Sequence, residues 1–140
     1  MNAIRFVLLL GLLAACAPAP AQSPPTSVPA QAPTAAAQDA AAVLTGFVNA
    51  YNAKDLDTAM GLLADDAVYT VFTGVQYKGK DEIRPVFQND VSRGTQWEIS
   101  NIKAAGDKVT YHMKILRFGG LVAEFDSETR VQDGKIKSLP

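Results

Sequence analysis

One histidine, a double aspartate and a few strand-borne hydroxyls are the side chains of this 140-residue sequence whose types could do chemistry. His112 is the only histidine, so acid–base work near neutral pH would fall to it. Its setting depends on a hairpin. If Phe118, Gly119 and Gly120 make the turn, Arg117 lies opposite Leu121, and Ile115, Met113 and Tyr111 face Ala123, Phe125 and Ser127. The other face then pairs Lys114 with Glu124 and His112 with Asp126. Apolar meets apolar and opposite charges meet, each pair adding roughly 0.2–1 kcal/mol. A two-residue turn would set Lys114 against Phe125, because a slip of one residue inverts every side chain. The first register is therefore expected, with His112 outside in an ion pair. Only the slipped register would bring it against Ser127 as a Ser-His pair.

Asp65-Asp66 could hold a metal or act as a base, but at the end of a helical stretch the pair reads as turn and cap. Tyr69 shares a strand face with Val71, and Tyr111 with Met113; either hydroxyl could bond a polar ligand group or simply be satisfied in the core. Phe47, Tyr51, Val71, Met113 and Phe125 are most simply core, and any cavity among them would be apolar. These eight positions, Phe47, Tyr51, Tyr69, Val71, Tyr111, Met113, Phe125 and Ser127, are the expected pocket lining. No residue is singled out as catalytic, and no metal or cofactor is implied. Cys16 is the only cysteine, which rules out an intrachain disulfide and a cysteine-based metal cage. The formal net charge is −1 with basic residues scattered singly, so nucleic acid is excluded as an expected partner.

The elements that must position these residues occupy the last hundred or so positions, room for one domain stable without staples. Apolar residues at Val43, Leu44, Phe47, Val48 and Tyr51 define one helix face, with Asp39 as its cap. Asp55 caps a second helix whose apolar side is Leu56, Ala59, Met60 and Leu63. Ala67–Phe72 reads as a strand. Ile83, Val86 and Phe87 mark a short third helix that Pro85 forces to begin late or bend. From Trp97 the pattern gives three longer strands and a short one, punctuated by Gly106-Asp107, Gly119-Gly120 and Asp133-Gly134. The orientation of Trp97 stays open.

Ahead of this domain the composition changes. Residues 17–37 carry no charge and most of the prolines; they favour extended polyproline conformations and could reach about 60 Å. Residues 1–15 carry only Arg5 and a run of apolar residues too short for a permanent span. The run ends in Leu13-Ala14-Ala15-Cys16, which resembles the lipobox of bacterial lipoproteins, with the sole cysteine where acylation requires it. The resemblance implies a signal peptide at 1–15, a lipidated Cys16 with a Pro/Ala-rich tether at 16–38, and a domain at 39–140. Two or more acyl chains would anchor it stably to a membrane. The location implied is the cell envelope, either the outer membrane facing the periplasm or the outer leaflet of the cytoplasmic membrane. Ala17 after the cysteine, in place of aspartate, favours the former.

Leu63-Ala64-Asp65-Asp66-Ala67, Tyr77-Lys78-Gly79-Lys80-Asp81-Glu82-Ile83 and Val131-Gln132-Asp133-Gly134-Lys135-Ile136 together resemble the nuclear transport factor 2-like superfamily, in its SnoaL-like and ketosteroid-isomerase-like branches. The resemblance implies an α+β cone, a curved antiparallel sheet packed on about three N-terminal helices around a pocket. In the isomerase branch a carboxylate base works with a tyrosine and a protonated aspartate. Those roles would fall on Val71, Phe47 and Ser127, none of which can perform them. The leading expectation is therefore a lipid-anchored, non-catalytic module that binds a small apolar molecule. The alternatives are an isomerase, cyclase or hydrolase using Tyr69, Tyr111 and Ser127, and a homodimer formed through the outer sheet face near Leu116, Phe118 and Val122.

Overall fold

The computed structural model describes residues 35–140. Cys16, the signal segment and most of the tether lie outside the described residues. Helix α1 (Ala35–Asn52) and the short α2 (Leu56–Leu62) lead into strand β1 (Leu63–Thr70), then β2 (Gln76–Lys78) and α3 (Lys80–Ser92). Four strands close the chain: β3 (Thr95–Ala105), β4 (Lys108–Arg117), β5 (Gly120–Gln132) and β6 (Lys135–Leu139). They form one six-stranded open sheet in the order β2-β1-β6-β5-β4-β3. All neighbours are antiparallel except β1 and β6, so the expected antiparallel sheet has one parallel pair.

The helices follow their signals with three corrections. Alanines at 35–37 extend α1 upstream, because alanine is the best helix former, so Asp39 lies inside the helix and caps nothing. The Asp55 carboxylate does cap α2, accepting from the Thr58 N–H at 3.1 Å. That helix stops at Leu62, since the backbone of Leu63 turns extended and pairs with Ile136 of β6. Asp65 and Asp66 are consequently strand residues. They sit in an irregular stretch of the β1–β6 pairing, where Asp65 pairs with Lys80 at 2.9 Å and Asp66 with Lys137 at 2.6 Å. Neither turn, cap nor metal pair describes them. The lysines hold both carboxylates below the usual range, chiefly through these hydrogen bonds. Helix α3 begins at Lys80 and runs through Pro85 to Ser92, so the proline does not delay it.

The β4–β5 hairpin reaches the expected pairing by another route. Tyr111, Met113 and Ile115 face Ser127, Phe125 and Ala123, and His112 and Lys114 face Asp126 and Glu124. The turn, however, has two residues, Phe118 and Gly119, both at positive φ (50° and 78°), with Arg117 opposite Gly120. A bulge absorbs the difference: Leu116 pairs with Leu121 and Ile115 with Ala123, leaving Val122 extra. The expected Arg117–Leu121 pair does not form.

The core lies between α1, α3 and the inner sheet face. Phe47, Tyr51, Phe87 and Trp97 are all buried, with ring centroids 4.6–6.3 Å apart. Trp97 thus points inward. β3 is an edge strand, and edges leave backbone groups open. Asn52, the last residue of α1, covers this one with its amide: its Nδ2 donates to the Trp97 carbonyl at 2.7 Å and its Oδ1 accepts from the Trp97 N–H at 2.9 Å. Asn52→Leu removes both bonds and leaves two part-buried backbone groups unpaired. It is expected to cost about 1–3 kcal/mol in chemical denaturation. A change within a few tenths of a kcal/mol would mean that water replaces the amide.

Candidate functional site

The open end of the cone holds a cavity of about 190 Å³. Period-two alternation builds one wall: Thr95 and Trp97 of β3 pair with Arg117 and Ile115 of β4, so all four project from one face. Tyr69 and Val71 come from β1 and the turn after it, and the bulged Val122 also lines the cavity. Helix α3 supplies Val86 and Asp90 from positions four apart on one face. Ile83 and Phe87 on the same helix are fully buried, which fixes that face against the core.

Asp90 and Arg117 give the cavity its polar end. They form a loose ion pair, with 3.7 Å between Oδ1 and Nη2, longer than a hydrogen bond, and both side chains are partly exposed. Arg117 is held in place by its Nε, which donates to Oγ1 of the buried Thr95 at 3.2 Å. Burial raises the pKa of Asp90 above the usual carboxylate value, opposed by the positive charges of Arg117 and Arg93. The Asp90 charge in turn adds to burial in keeping the Tyr51 and Tyr69 hydroxyls protonated, both well above the ordinary phenol value. Tyr51's hydroxyl is buried and has no hydrogen-bond partner among the described residues. The site can therefore offer an acceptor and a charged donor to one small molecule lying against Tyr69, Trp97 and aliphatic walls.

Of the eight expected lining residues, Tyr69 and Val71 border this cavity. Phe47, Tyr51 and Met113 are packed into the core behind it. Tyr111, Phe125 and Ser127 are not among its lining residues. The Tyr111 hydroxyl is occupied by Thr129 Oγ1 at 2.9 Å, and burial pushes its pKa up to about 12. Ser127 Oγ is buried without a partner, and Phe125 is half-buried beside the core. The expectation of a wholly apolar cavity is corrected by Asp90 and Arg117. The signal for Asp90 was present: it falls seven residues after Ile83 and three after Phe87, on the apolar stripe, but only if the helix is carried past Phe87 to Ser92.

A wider depression of about 640 Å³ on the sheet is lined by Tyr111 and Ser127, two of the expected lining residues, together with Asn101, Lys103, His112 and Glu128. Three of its charged groups, His112, Asp126 and Glu128, are already paired. His112 is clamped between Asp126 (Nδ1, 2.8 Å) and Glu124 (Nε2, 2.7 Å), and Lys108 meets Glu128 at 2.8 Å. His112 is thus on the outer face and paired, as its register implies. The hydrogen bond to Asp126, then that to Glu124, raises the histidine pKa, while the histidine lowers that of Glu124. A raised histidine pKa adds stability below the unfolded value, about 6.5, that is lost as pH rises through the folded value. The lowered carboxylate adds stability above about 4.3 that is lost on acidification. His112→Gln is therefore expected to lower the melting temperature most near pH 5.5 and least near pH 9. Equal losses at both pH values would show that the charged clamp contributes nothing.

Three helices, a curved six-stranded sheet and a cavity at the open end define a nuclear transport factor 2-like cone, as the resemblance implied. The chain belongs to the SnoaL-like domain family, whose model matches residues 44–139. Solved structures agree on the fold. An LEH-like epoxide hydrolase from M. tuberculosis is 24% identical with a TM-score of 0.63, covering 73% of this chain and 80% of its own. An NTF2-like protein of unknown function from Mesorhizobium loti is 21% identical with a TM-score of 0.65, covering 76% and 92%. A cystatin-fold protein from Novosphingobium aromaticivorans is 23% identical with a TM-score of 0.60, covering 71% and 93%. No curated protein matches the chain.

Proposed function

We propose that this protein is a lipid-anchored binding module of the bacterial cell envelope that holds a small, largely apolar molecule in the open end of the cone. The observation that carries the binding reading is the cavity itself, about 190 Å³ between apolar walls with Asp90 and Arg117 at one end. Ligand pockets usually run from about 300 Å³ upward, so the occupant is a compact, single-ring molecule rather than a steroid-sized one. The support for the anchor is the lipobox-like Leu13-Ala14-Ala15-Cys16 and the uncharged Pro/Ala-rich stretch after it. Between the two membranes of a double-membraned cell, Ala17 supports the outer one.

A catalytic reading is favoured by one observation, the raised pKa of Asp90 inside the cavity, which suits a group that takes and returns a proton. In that reading Asp90 does the work expected of Tyr69, Tyr111 and Ser127. A homodimer through the outer sheet face ranks lower, because an interface there would have to desolvate the ion pairs around His112, Lys108 and Lys114. Native mass spectrometry of the full chain, extracted in detergent from its own host and compared with the denatured protein, tests these readings together. A small molecule released on denaturation, and recovered unchanged after incubation with fresh protein, supports the binding module. Its conversion supports the enzyme, and a ligand-free protein argues against both. Loss of the acyl mass in a Cys16→Ala variant supports the anchor, whereas an unmodified native Cys16 overturns it.

A further inference from the structure

The spacing of the two charged groups in the cavity restricts what can bind there. If the cavity binds a small molecule, as proposed above, its two charged groups set the terms. Asp90 presents an acceptor and Arg117 a donor, side by side, 3.7 Å apart at their nearest atoms and not hydrogen-bonded to each other. Thr95 holds the guanidinium through Nε, which leaves its outer nitrogens directed away from that bond. Asp90 is carried on α3, whose Phe87 packs among four aromatic rings, so the backbone that bears it is held against the core. Around the pair the walls are apolar or aromatic: Tyr69, Val71, Trp97 and Ile115.

An amine would satisfy Asp90 but meet the Arg117 charge with nothing to accept from it. A carboxylate would satisfy Arg117 and be repelled by Asp90. A ligand that places an N–H and a C=O on adjacent atoms can donate to Asp90 and accept from Arg117 at once, while its uncharged ring lies on the aromatic wall. We propose that the cavity is a donor–acceptor fork selective for small neutral lactams and cis-amides, with Asp90 and Arg117 as its specificity-determining residues. A site built to satisfy both hydrogen bonds rejects analogues that lack one, because a desolvated group is then left unpaired.

Trp97 is the only tryptophan in the chain and lines the cavity, so its fluorescence reports occupancy directly. Titrating the full-length protein with δ-valerolactam, piperidine and cyclopentanecarboxylate at neutral pH compares three ring compounds of similar size. The lactam is expected to bind at least tenfold tighter than either charged probe. Asp90→Leu and Arg117→Met should each lower its affinity about tenfold, with unchanged far-UV circular dichroism. Tightest binding by the amine or the carboxylate, or equal binding by all three, overturns the fork while leaving the pocket reading standing. If none of the three perturbs Trp97, the fork and the pocket reading fail together. The wild-type series decides the matter even where a variant does not fold.

Discussion

Replacing Phe87 by alanine is expected to destabilise the protein by about 3–5 kcal/mol, the range for removing a fully buried aromatic ring. Phe87 is completely buried and meets Phe47, Tyr51, Tyr69 and Trp97 with ring centroids 4.9–5.8 Å away. Tyr51, Tyr69 and Trp97 approach it edge to face, the geometry in which aromatic pairs add to simple burial. A domain of this size has only about 5–15 kcal/mol in total, so the variant should sit near its unfolding threshold. Urea denaturation followed by far-UV circular dichroism measures the loss. The change also reaches the site, because Asp90 lies one turn along the same face of α3, and Trp97 fluorescence should shift before global unfolding. A loss under 1 kcal/mol would mean that neighbouring rings collapse into the space and that Phe87 does not anchor the helix.

Gly79→Ala should cost about 1–3 kcal/mol, through the backbone and not through packing. Gly79 precedes α3 with φ 78° and ψ 160°, a region that essentially only glycine occupies. A Cβ there would approach the Asp65 carbonyl oxygen to 3.3 Å, a crowded contact with the backbone of β1. The Gly79 N–H also donates to the Ala67 carbonyl at 2.7 Å, which ties the helix entrance to that strand. Relief of the strain would therefore move α3, and Asp90 with it. The measurement is the same denaturation curve, together with probe binding at Trp97. A variant as stable as the parent would show that α3 can enter at ordinary backbone angles.

Local signals in the chain were enough for most of the elements. The apolar stripe of α1, the Asp55 cap, and the three glycine-bearing turns after Trp97 each depend on residues a few positions apart. The inner and outer faces of the β4–β5 hairpin were legible as well, because matching charges and apolar residues left one register. The turn that produces it was not, since a two-residue turn with a bulge at Val122 and a three-residue turn give the same pairing beyond Ile115. Asp65 and Asp66 were misread for a related reason. A helix end and the start of a strand look alike locally, and what stops α2 is the pairing of Leu63 with Ile136, seventy-three positions on.

The sequence by itself determined most of the elements, because hydrophobic period and turn chemistry act over short distances along the chain, and its resemblance to the nuclear transport factor 2-like superfamily implied the cone. It determined, too, the outward placement of His112, since its two partners lie on the neighbouring strand in a register set by a single hairpin. The cavity was decided only by tertiary structure. Asp90 belongs to a helix, Arg117 to the end of β4, and Thr95 to an edge strand; each is an ordinary surface-type residue in its own segment. What makes them a site is desolvation and a spacing of 3.7 Å, and both arise only when α3 closes over the mouth of the sheet.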